Sequence, residues 1–354
     1  MHLQFKTMHE SLFFIFFLLF ISLMLFLDLG VFNRKNHIIS FKEALSWTGV
    51  WIFIALLFCV FILFKGEWVH GITDMDGLIA YNAKYGNHIA LDESLSYREN
   101  LQSFRQTLSL EYLTGYLIEK SLSLDNIFVM LMIFISFGVE KKYYHRVLFY
   151  GILGAIVLRF VFIFLSAALI ERFHWILLIF GVFLIYTGIK MFFEKKDQNT
   201  KIDVEKHPVV RFLSKRKLVT SGYRGRKFFS RENGRLMLTP LFVVLIIIEF
   251  SDVLFAVDSI PAIFSITSDP YIVFFSNIFA ILGLRSLFFV LQSVMDKFTY
   301  LKIGLAILLT YIGVKMILPF IDPSLVIPTG ISLLVILTIL LGSILISVIV
   351  PKKQ

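Results

Sequence analysis

Five carboxylates lie within stretches of the chain that are otherwise apolar. They form two groups, Glu119 with Asp125 in one stretch, and Glu249, Asp252 and Asp258 in another. A charged side chain at the centre of a bilayer costs about 2.5–3.5 kcal/mol on insertion scales, so such residues usually face a cavity or a charged partner. Carboxylates are hard oxygen ligands that suit Mg²⁺, Ca²⁺ or Mn²⁺. The acids therefore predict a divalent-cation site inside a membrane.

Neutral and cationic side chains accompany these acids. Asn126 and Ser259 each follow an acid directly and would supply further oxygen ligands. Arg159 and Arg285 lie deep within neighbouring apolar stretches, where each could neutralise an acid when no cation is bound. The competing interpretation is that the arginines and acids only lock helices together. Five acids repeated on two related stretches favour a functional site.

The spacing within each group limits how the acids can bind one ion. Asp125 follows Glu119 by six residues, which in a straight helix means about 9 Å of rise and about 120° of rotation. One unbroken helix therefore cannot direct both acids at the same ion. Two antiparallel acid-bearing helices side by side can do so. Local unwinding near Asp258, just before Pro261, would add backbone carbonyl ligands.

The expected ligand set contains neither thiolate nor imidazole. The eight histidines all lie in loops or at the ends of apolar stretches, and the single cysteine, Cys59, lies within one of these stretches. We therefore expect no disulfide, no thiolate site and no buried histidine ligand. The cation is expected as a transported substrate, with no resident cofactor and no catalytic residue.

The composition is that of a membrane protein. Hydrophobic residues make up 58% of the 354 positions, charged residues 17%, and the mean hydropathy is +0.82. A bilayer span needs about 20 apolar residues, and nine such runs predict an all-α polytopic membrane protein. The predicted spans are 11–32, 46–64, 109–138, 147–170, 173–193, 237–267, 271–294, 298–320 and 325–350.

The distribution of charge predicts the orientation. The net charge of +9 comes largely from connections between spans, above all the basic connection 194–236, which the positive-inside rule places in the cytoplasm. The amino terminus and the acidic connection 65–108 are then outside, and the carboxyl terminus is cytoplasmic. The expected partners are a divalent ion and the lipid bilayer, and no nucleic acid. We interpret 65–108 as a connector without strong periodicity.

The chain contains an internal duplication. Segment 171–191 matches 296–316, and EKSLSLDN (119–126) corresponds to DVLFAVDS (252–259). Three spans are repeated, and a duplicated odd number of spans must have opposite orientations in the membrane, as in many secondary transporters. Matched residues include Arg159 with Arg285, Tyr186 with Tyr311, Gly188 with Gly313 and Lys190 with Lys315. The matched tyrosines and lysines are expected to anchor span ends at the interface.

The repeats predict six parts of the chain. Two spans and an outer connection precede the first repeat, a cytoplasmic loop separates the repeats, and one span follows the second. The predicted bounds are 1–64, 65–108, 109–193, 194–236, 237–320 and 321–354.

Five segments carry a family resemblance. EYLTGYLIEKSLSLDNIFV, HRVLFYGILGAIVLRFVFI, FGVFLIYTGIKM, VVLIIIEFSDVLFAVDSIPAIFSIT and SNIFAILGLRSLFF resemble the TerC family of membrane proteins, particularly its bacterial Alx-like members, from about residue 40 to 320. More distantly, the chain resembles the lysine-exporter superfamily of inverted-repeat transporters. The TerC family is named for tellurium resistance, and the resemblance implies manganese export from the bacterial inner membrane.

Carried over residue by residue, the family's acidic motifs fall on the acids of both groups and on their neighbouring oxygen donors, and its buried arginines match as well. The resemblance therefore implies the metal set Glu119, Asp125, Asn126, Glu249, Asp252, Asp258 and Ser259, with Arg159 and Arg285 as charge partners. The segment 66–107 is longer than the family pattern implies.

Several functions compete at this point. A secondary exporter of divalent cations is favoured, since no G-x-x-x-x-G-K-[ST] nucleotide-binding motif is present. A membrane scaffold or insertion factor linked to tellurium or metal stress is the alternative, and it predicts that the acids are dispensable. An anion exporter ranks last because a site dominated by acids repels anions.

Overall fold

The structure is a computed structural model. It describes residues 2–32, 40–85, 89, 91–92, 94–173, 175–193, 219–220, 222–232, 235–294, 301–322 and 325–349.

Twelve helices and one two-stranded hairpin make up this part of the chain. The helices are α1 (His2–Phe32), α2 (Phe41–Lys65), α3 (Glu67–His70), α4 (Met75–Lys84), α5 (Tyr97–Ser136), α6 (Lys141–Arg172), α7 (Ile176–Phe193), α8 (Pro240–Phe264), α9 (Pro270–Leu282), α10 (Leu284–Val294), α11 (Leu301–Ile321) and α12 (Thr329–Ile349). The strands β1 (Phe229–Glu232) and β2 (Arg235–Leu238) pair antiparallel within the predicted cytoplasmic connection.

Seven of the described helices are long and apolar enough to cross a membrane: α1, α2, α6, α7, α8, α11 and α12. The pair α9 and α10, bent by 45° at Gly283, would form an eighth span. The remaining predicted span, 109–138, falls in the 40-residue helix α5. This helix does not qualify by composition because it also carries charged residues along the same stretch. Of the nine predicted spans, seven thus correspond to single described helices and one corresponds to the bent pair.

The third helices of the two repeats, α7 and α11, pack backbone to backbone. A Cβ atom added to Gly313 would lie 2.6 Å from the carbonyl oxygen of Gly181, and one added to Gly188 would lie 2.7 Å from that of Ala306. A later residue of α7 thus contacts an earlier residue of α11, so the two helices run antiparallel. In these helices the repeats are offset by 125 residues, so Gly181 matches Ala306 and Gly188 matches Gly313. The contact between Gly181 and Gly313 is therefore the repeat counterpart of the contact between Gly188 and Ala306.

The first two helices of each repeat also pack across the repeats. Helix α5 contacts α8 and α9, and α8 contacts α6. Since α5 corresponds to α8, and α6 to the α9–α10 pair, the α5–α9 contact is the counterpart of the α6–α8 contact. The acid-bearing helices α5 and α8 consequently lie side by side at the centre of this arrangement.

Two local expectations were wrong. Helix α8 continues through Asp258 and Pro261 to Phe264, so no unwound carbonyls lie next to Asp258. The described residues of the connection 65–108 also contain regular structure, namely α3, α4 and the first three turns of α5. Helix α4 begins after the capping residue Asp74, whose carboxylate accepts a hydrogen bond from Gly77 N at 2.8 Å. Arg105 and Glu67 form a bidentate ion pair that ties α5 to α3.

Candidate functional site

Arg159 of α6 is the centre of the buried polar cluster. Its guanidinium forms an ion pair with Glu119 of α5 and donates to Asp252 Oδ1 of α8 at 3.3 Å. It also donates to Ser259 Oγ at 3.4 Å and to Asn277 Oδ1 of α9 at 2.5 Å. Arg159 and Glu119 are each 1% exposed, and Asp252 is 4% exposed. Repeat-matched acids from two neighbouring helices thus share one buried cation.

Asn126 completes the contact between the two acid-bearing helices. Its Nδ2 donates to Asp252 Oδ1 at 3.2 Å. The side chains of Asn126, Arg159 and Asp252 border a cavity of about 10 Å³, which Ser123 of α5 also lines. Ser123 in turn donates to Glu119 Oε1 at 3.4 Å. A volume of this size suits a single water molecule or a small ion.

Three oxygens of the predicted ligand set accept no hydrogen bond from the described residues. They are Glu119 Oε2, Asn126 Oδ1 and Glu249 Oε2, and all three are buried. Buried acceptors normally have a partner, and an acceptor without one points to a bound ion or water. The cluster therefore contains buried oxygens that could accept a further hydrogen bond or bind an ion.

The other acids occupy different positions around this centre. Glu249 lies one turn before Asp252, and its carboxyl group packs against the Cα of Gly154 in α6. Asp258 accepts a hydrogen bond from Thr187 Oγ1 of α7 at 3.4 Å. Asp125 lies within α5, and its side chain is outside the part of the chain that the structure describes.

The described contact of Arg285 differs from that of its repeat partner. Its Nη1 bonds to His145 Nε2 at 2.9 Å, and both residues lie near the ends of their helices, α10 and α6. The difference follows from the break at Gly283, which places Arg285 in a new helix whereas Arg159 lies within the continuous α6. The described hydrogen bond of Arg285 thus goes to His145, and that of Asp258 goes to Thr187.

The acids do not form a ready-made metal cage. Across the described side chains, no three His, Cys, Asp or Glu residues are grouped as metal ligands would be. Glu119 and Asp252 meet across Arg159. A cation that reached these carboxylates would have to compete with the guanidinium for them.

Sequence reasoning missed several polar residues. Asn277, fully buried beside the buried Ser276, has no polar counterpart in the first repeat and lies in an otherwise largely apolar helix. Lys120 donates to Ala280 O at 3.2 Å, beside the break at Gly283. Glu111 is an acid beyond the five singled out from the sequence, and it is 0% exposed. Its position inside the predicted span 109–138 was a signal available from the sequence.

The expectation of no buried histidine was wrong. His70 is 0% exposed. Its Nε2 lies 2.7 Å from Asp269 Oδ2, and its Nδ1 lies 3.3 Å from Glu10 Oε1. Tyr81 also donates to Asp269, at 3.0 Å. Although burial opposes the charge, the two carboxylates outweigh it and raise the pKa of His70 to about 9. Residues far apart in sequence bury this imidazole, which local patterning does not reveal.

Comparisons with known proteins identify a family of integral membrane proteins. Residues 104–354 match the model of the family described as "Integral membrane protein TerC family". The chain is 43% identical over 296 residues to "Uncharacterized membrane protein STKORF319" of Myxococcus xanthus, covering 84% of this chain and 80% of that protein. It is 42% identical over 293 residues to "Putative membrane-bound redox modulator Alx" of Escherichia coli K12, covering 82% and 81%. No solved structure matches.

Proposed function

Because the chain belongs to the TerC family of integral membrane proteins, we propose that it is a secondary transporter that exports divalent cations, manganese foremost, across the bacterial cytoplasmic membrane. The observation that carries this proposal is the set of buried oxygens that accept no hydrogen bond from the described residues, on Glu119, Asn126 and Glu249. The choice of manganese over calcium rests on the family resemblance. The ligand chemistry alone indicates a hard divalent cation.

Arg159 takes the place of a cation in this proposal. Its guanidinium pairs with both Glu119 and Asp252 and balances one of their two negative charges, which partly compensates their burial without a bound metal. An entering divalent ion displaces the guanidinium and takes over the two carboxylates. Asn126 and Glu249 then add ligand oxygens. Asp125, Asp258 and Ser259 complete the proposed set on the same two helices.

The antiparallel contact of α7 and α11 supports the inverted-repeat plan. Helices α5 and α8, the first helices of the two repeats, pack against each other where the repeats meet, and inverted-repeat transporters place their substrate sites at such a position. Movement of one repeat against the other would then expose the cluster to each side of the membrane in turn.

The proposed orientation follows from the basic loop. A reporter fused within 200–230 should be cytoplasmic, and one fused within 75–100 should be outside the cell. Both reporters on one side would contradict the inverted arrangement.

The name of the Escherichia coli relative refers to redox modulation. This chain contains one cysteine, Cys59, whose Sγ lies 3.2 Å from Ser109 Oγ. An exchange between a dithiol and a disulfide within the given sequence is therefore not available, and the acid cluster offers oxygen ligands instead.

Ion uptake into inverted membrane vesicles tests the proposal. Vesicles that contain the protein should accumulate Mn²⁺ above vesicles lacking it, and Glu119→Gln and Asp252→Asn should each abolish the difference at normal abundance. Asp76→Asn, at an exposed position in α4, is the matched control and should transport normally. Equal uptake with and without the protein, or full transport by the acid variants, would favour the scaffold alternative.

A further inference from the structure

Asn277 of α9 gives the buried guanidinium of Arg159 a neutral partner. Its Oδ1 accepts a hydrogen bond from Arg159 Nη1 at 2.5 Å, and Ser259 Oγ lies 3.4 Å from the same nitrogen, which also pairs with Glu119. The two hydrogen bonds from the guanidinium to Asp252 are longer, at 3.3 and 3.5 Å, whereas N–H···O bonds are usually about 2.9–3.0 Å. The guanidinium therefore lies closer to the amide oxygen than to the carboxylate of Asp252.

The amide of Asn277 is held in a fixed orientation. Its Nδ2 donates to Val273 O, one turn earlier in α9, at 2.9 Å. This bond directs Oδ1 toward Arg159. Helix α9 is in turn packed closely on α5, since a Cβ atom added to Gly115 would lie 2.8 Å from Ser276 Oγ. The neutral acceptor is thus in place before any cation binds.

The other half of the protein has no equivalent of this amide. The alignment that matches Arg159 with Arg285 places Gly151 opposite Asn277. The described hydrogen bond of Arg285 goes instead to His145 near the ends of their helices. A buried amide is costly unless its polar atoms are hydrogen-bonded, and the repeat does not require one at this position. The contact with Arg159 is therefore what distinguishes Asn277.

Exchange of one positive charge for another creates the need for such an acceptor. A divalent cation that takes Glu119 and Asp252 removes both charged partners of Arg159. A buried charge that loses its partner is strongly destabilising, and a guanidinium carries several N–H donors that all need acceptors. The amide of Asn277 already accepts from Arg159 and lies on a different helix from both acids. It can therefore remain bonded to the guanidinium after the carboxylates are taken.

We propose that Asn277 holds the guanidinium of Arg159 while a divalent cation occupies Glu119 and Asp252. Without the cation, the guanidinium is shared between the acids and the amide. With the cation bound, it stays on the amide. Asn277 is thus a positioning residue that acts through Arg159 and does not itself bind the cation. This role rests on the proposed export function and specifies the residue that allows the cation to replace the guanidinium.

Mn²⁺ binding to the detergent-purified protein tests this role. Equilibrium dialysis gives the Kd of the wild type, of Asn277→Leu and of the smaller replacement Asn277→Ala, so that a folding defect in one variant does not prevent the test. Each variant should raise the Kd by at least about tenfold, because a hydrogen bond to a charged group is lost where the guanidinium depends on it most. Ser276→Ala, which removes a buried hydroxyl from the neighbouring position of α9, is the matched control and should bind Mn²⁺ like the wild type.

The Arg159→Gln background separates this role from a general effect on packing. Without the guanidinium, Asn277 has no charge to hold, so adding Asn277→Ala to Arg159→Gln should change the Kd by no more than about twofold. An unchanged Kd when Asn277 is replaced beside Arg159, or an equal increase in both backgrounds, would overturn the positioning role and leave the export site intact. Wild-type protein that binds no Mn²⁺ would instead refute the proposed export site itself.

Discussion

Replacement of Arg159 by glutamine should make the stability of this protein depend strongly on divalent metal. The substitution removes the positive charge shared by Glu119 and Asp252 but keeps a hydrogen-bonding side chain. At the 3.3 Å separation of Arg159 and Asp252, and with an effective dielectric constant of about 20, the attraction of one such pair is about 5 kcal/mol.

The net effect is smaller because the ions also lose hydration. Breaking a buried ion pair by removing one partner typically costs about 3–5 kcal/mol, and this is the loss we expect in Arg159→Gln without metal. Mn²⁺ should then restore stability, since the ion no longer competes with the guanidinium. A ligand at about 100 times its dissociation constant adds about 2.7 kcal/mol, so most of the loss is recoverable.

Thermal denaturation of the detergent-purified protein over a Mn²⁺ titration measures this effect. The stabilisation by Mn²⁺ should be larger, and should begin at lower concentration, in Arg159→Gln than in the wild type. Arg172→Gln, at the exposed end of the same helix, should match the wild type. If Mn²⁺ stabilises Arg159→Gln no more than the wild type, the arginine does not stand in for a cation, and the reasoning fails.

Three further predictions concern Glu249, His70 and the choice of ion. Gly154→Ala should displace the Glu249 carboxyl group and lower Mn²⁺ transport about tenfold at normal abundance. The control Gly49→Ala, at a position with open space around it, should change neither transport nor abundance. Unaltered transport by Gly154→Ala would exclude Glu249 from the site. The pKa of His70, about 9 against 6.5, means that protonated His70 contributes stability fully below pH 6.5 and loses it as pH rises through about 9. The free energy of unfolding should therefore fall by about 3 kcal/mol, a fall that His70→Gln should remove and that thermal scans from pH 6 to 10 would detect. An unconstrained site binds Zn²⁺ more tightly than Mn²⁺, following the Irving–Williams order. In competition transport assays the protein should favour Mn²⁺ over Zn²⁺ more than that order allows, and preferred Zn²⁺ transport would contradict an oxygen-only ligand set.

Sequence reasoning recovered the features that depend on local pattern. Apolar runs located the helices that can span a membrane, and the repeated acid spacing singled out Glu119 and Asp252. It could not identify which arginine the two acids share, because that depends on how α5, α6 and α8 pack. The repeat matches Arg159 with Arg285, but the break at Gly283 alters the position of Arg285, so the two arginines do not have equivalent surroundings.

The residues that were missed lack a repeated or periodic signal. Asn277 is an amide in a largely apolar helix. Glu111 has Val244 as its counterpart, so the repeat does not reveal it, although its place inside the predicted span 109–138 does. His70 was assigned to a loop because its surroundings show no apolar periodicity. Its burial arises from contacts with Glu10 and Asp269, which are distant in sequence. Such positions follow from tertiary packing, which spacing along the chain does not encode.

Charge balancing at the centre of the cluster tests the export site most directly. In intact cells, membrane abundance and Mn²⁺ export would be measured together for Arg159→Gln, which leaves Glu119 and Asp252 without their cation, and for the triple variant Glu119→Gln, Asp252→Asn and Arg159→Gln, which carries no charge at these positions, with Asp76→Asn as the surface control. If Glu119 and Asp252 bind the transported cation, the triple variant should lack export even at normal abundance, because neither carboxylate remains. If the acids only lock the helices together, Arg159→Gln should be scarce, and the triple variant should recover abundance and export together, which would contradict a cation site at these acids.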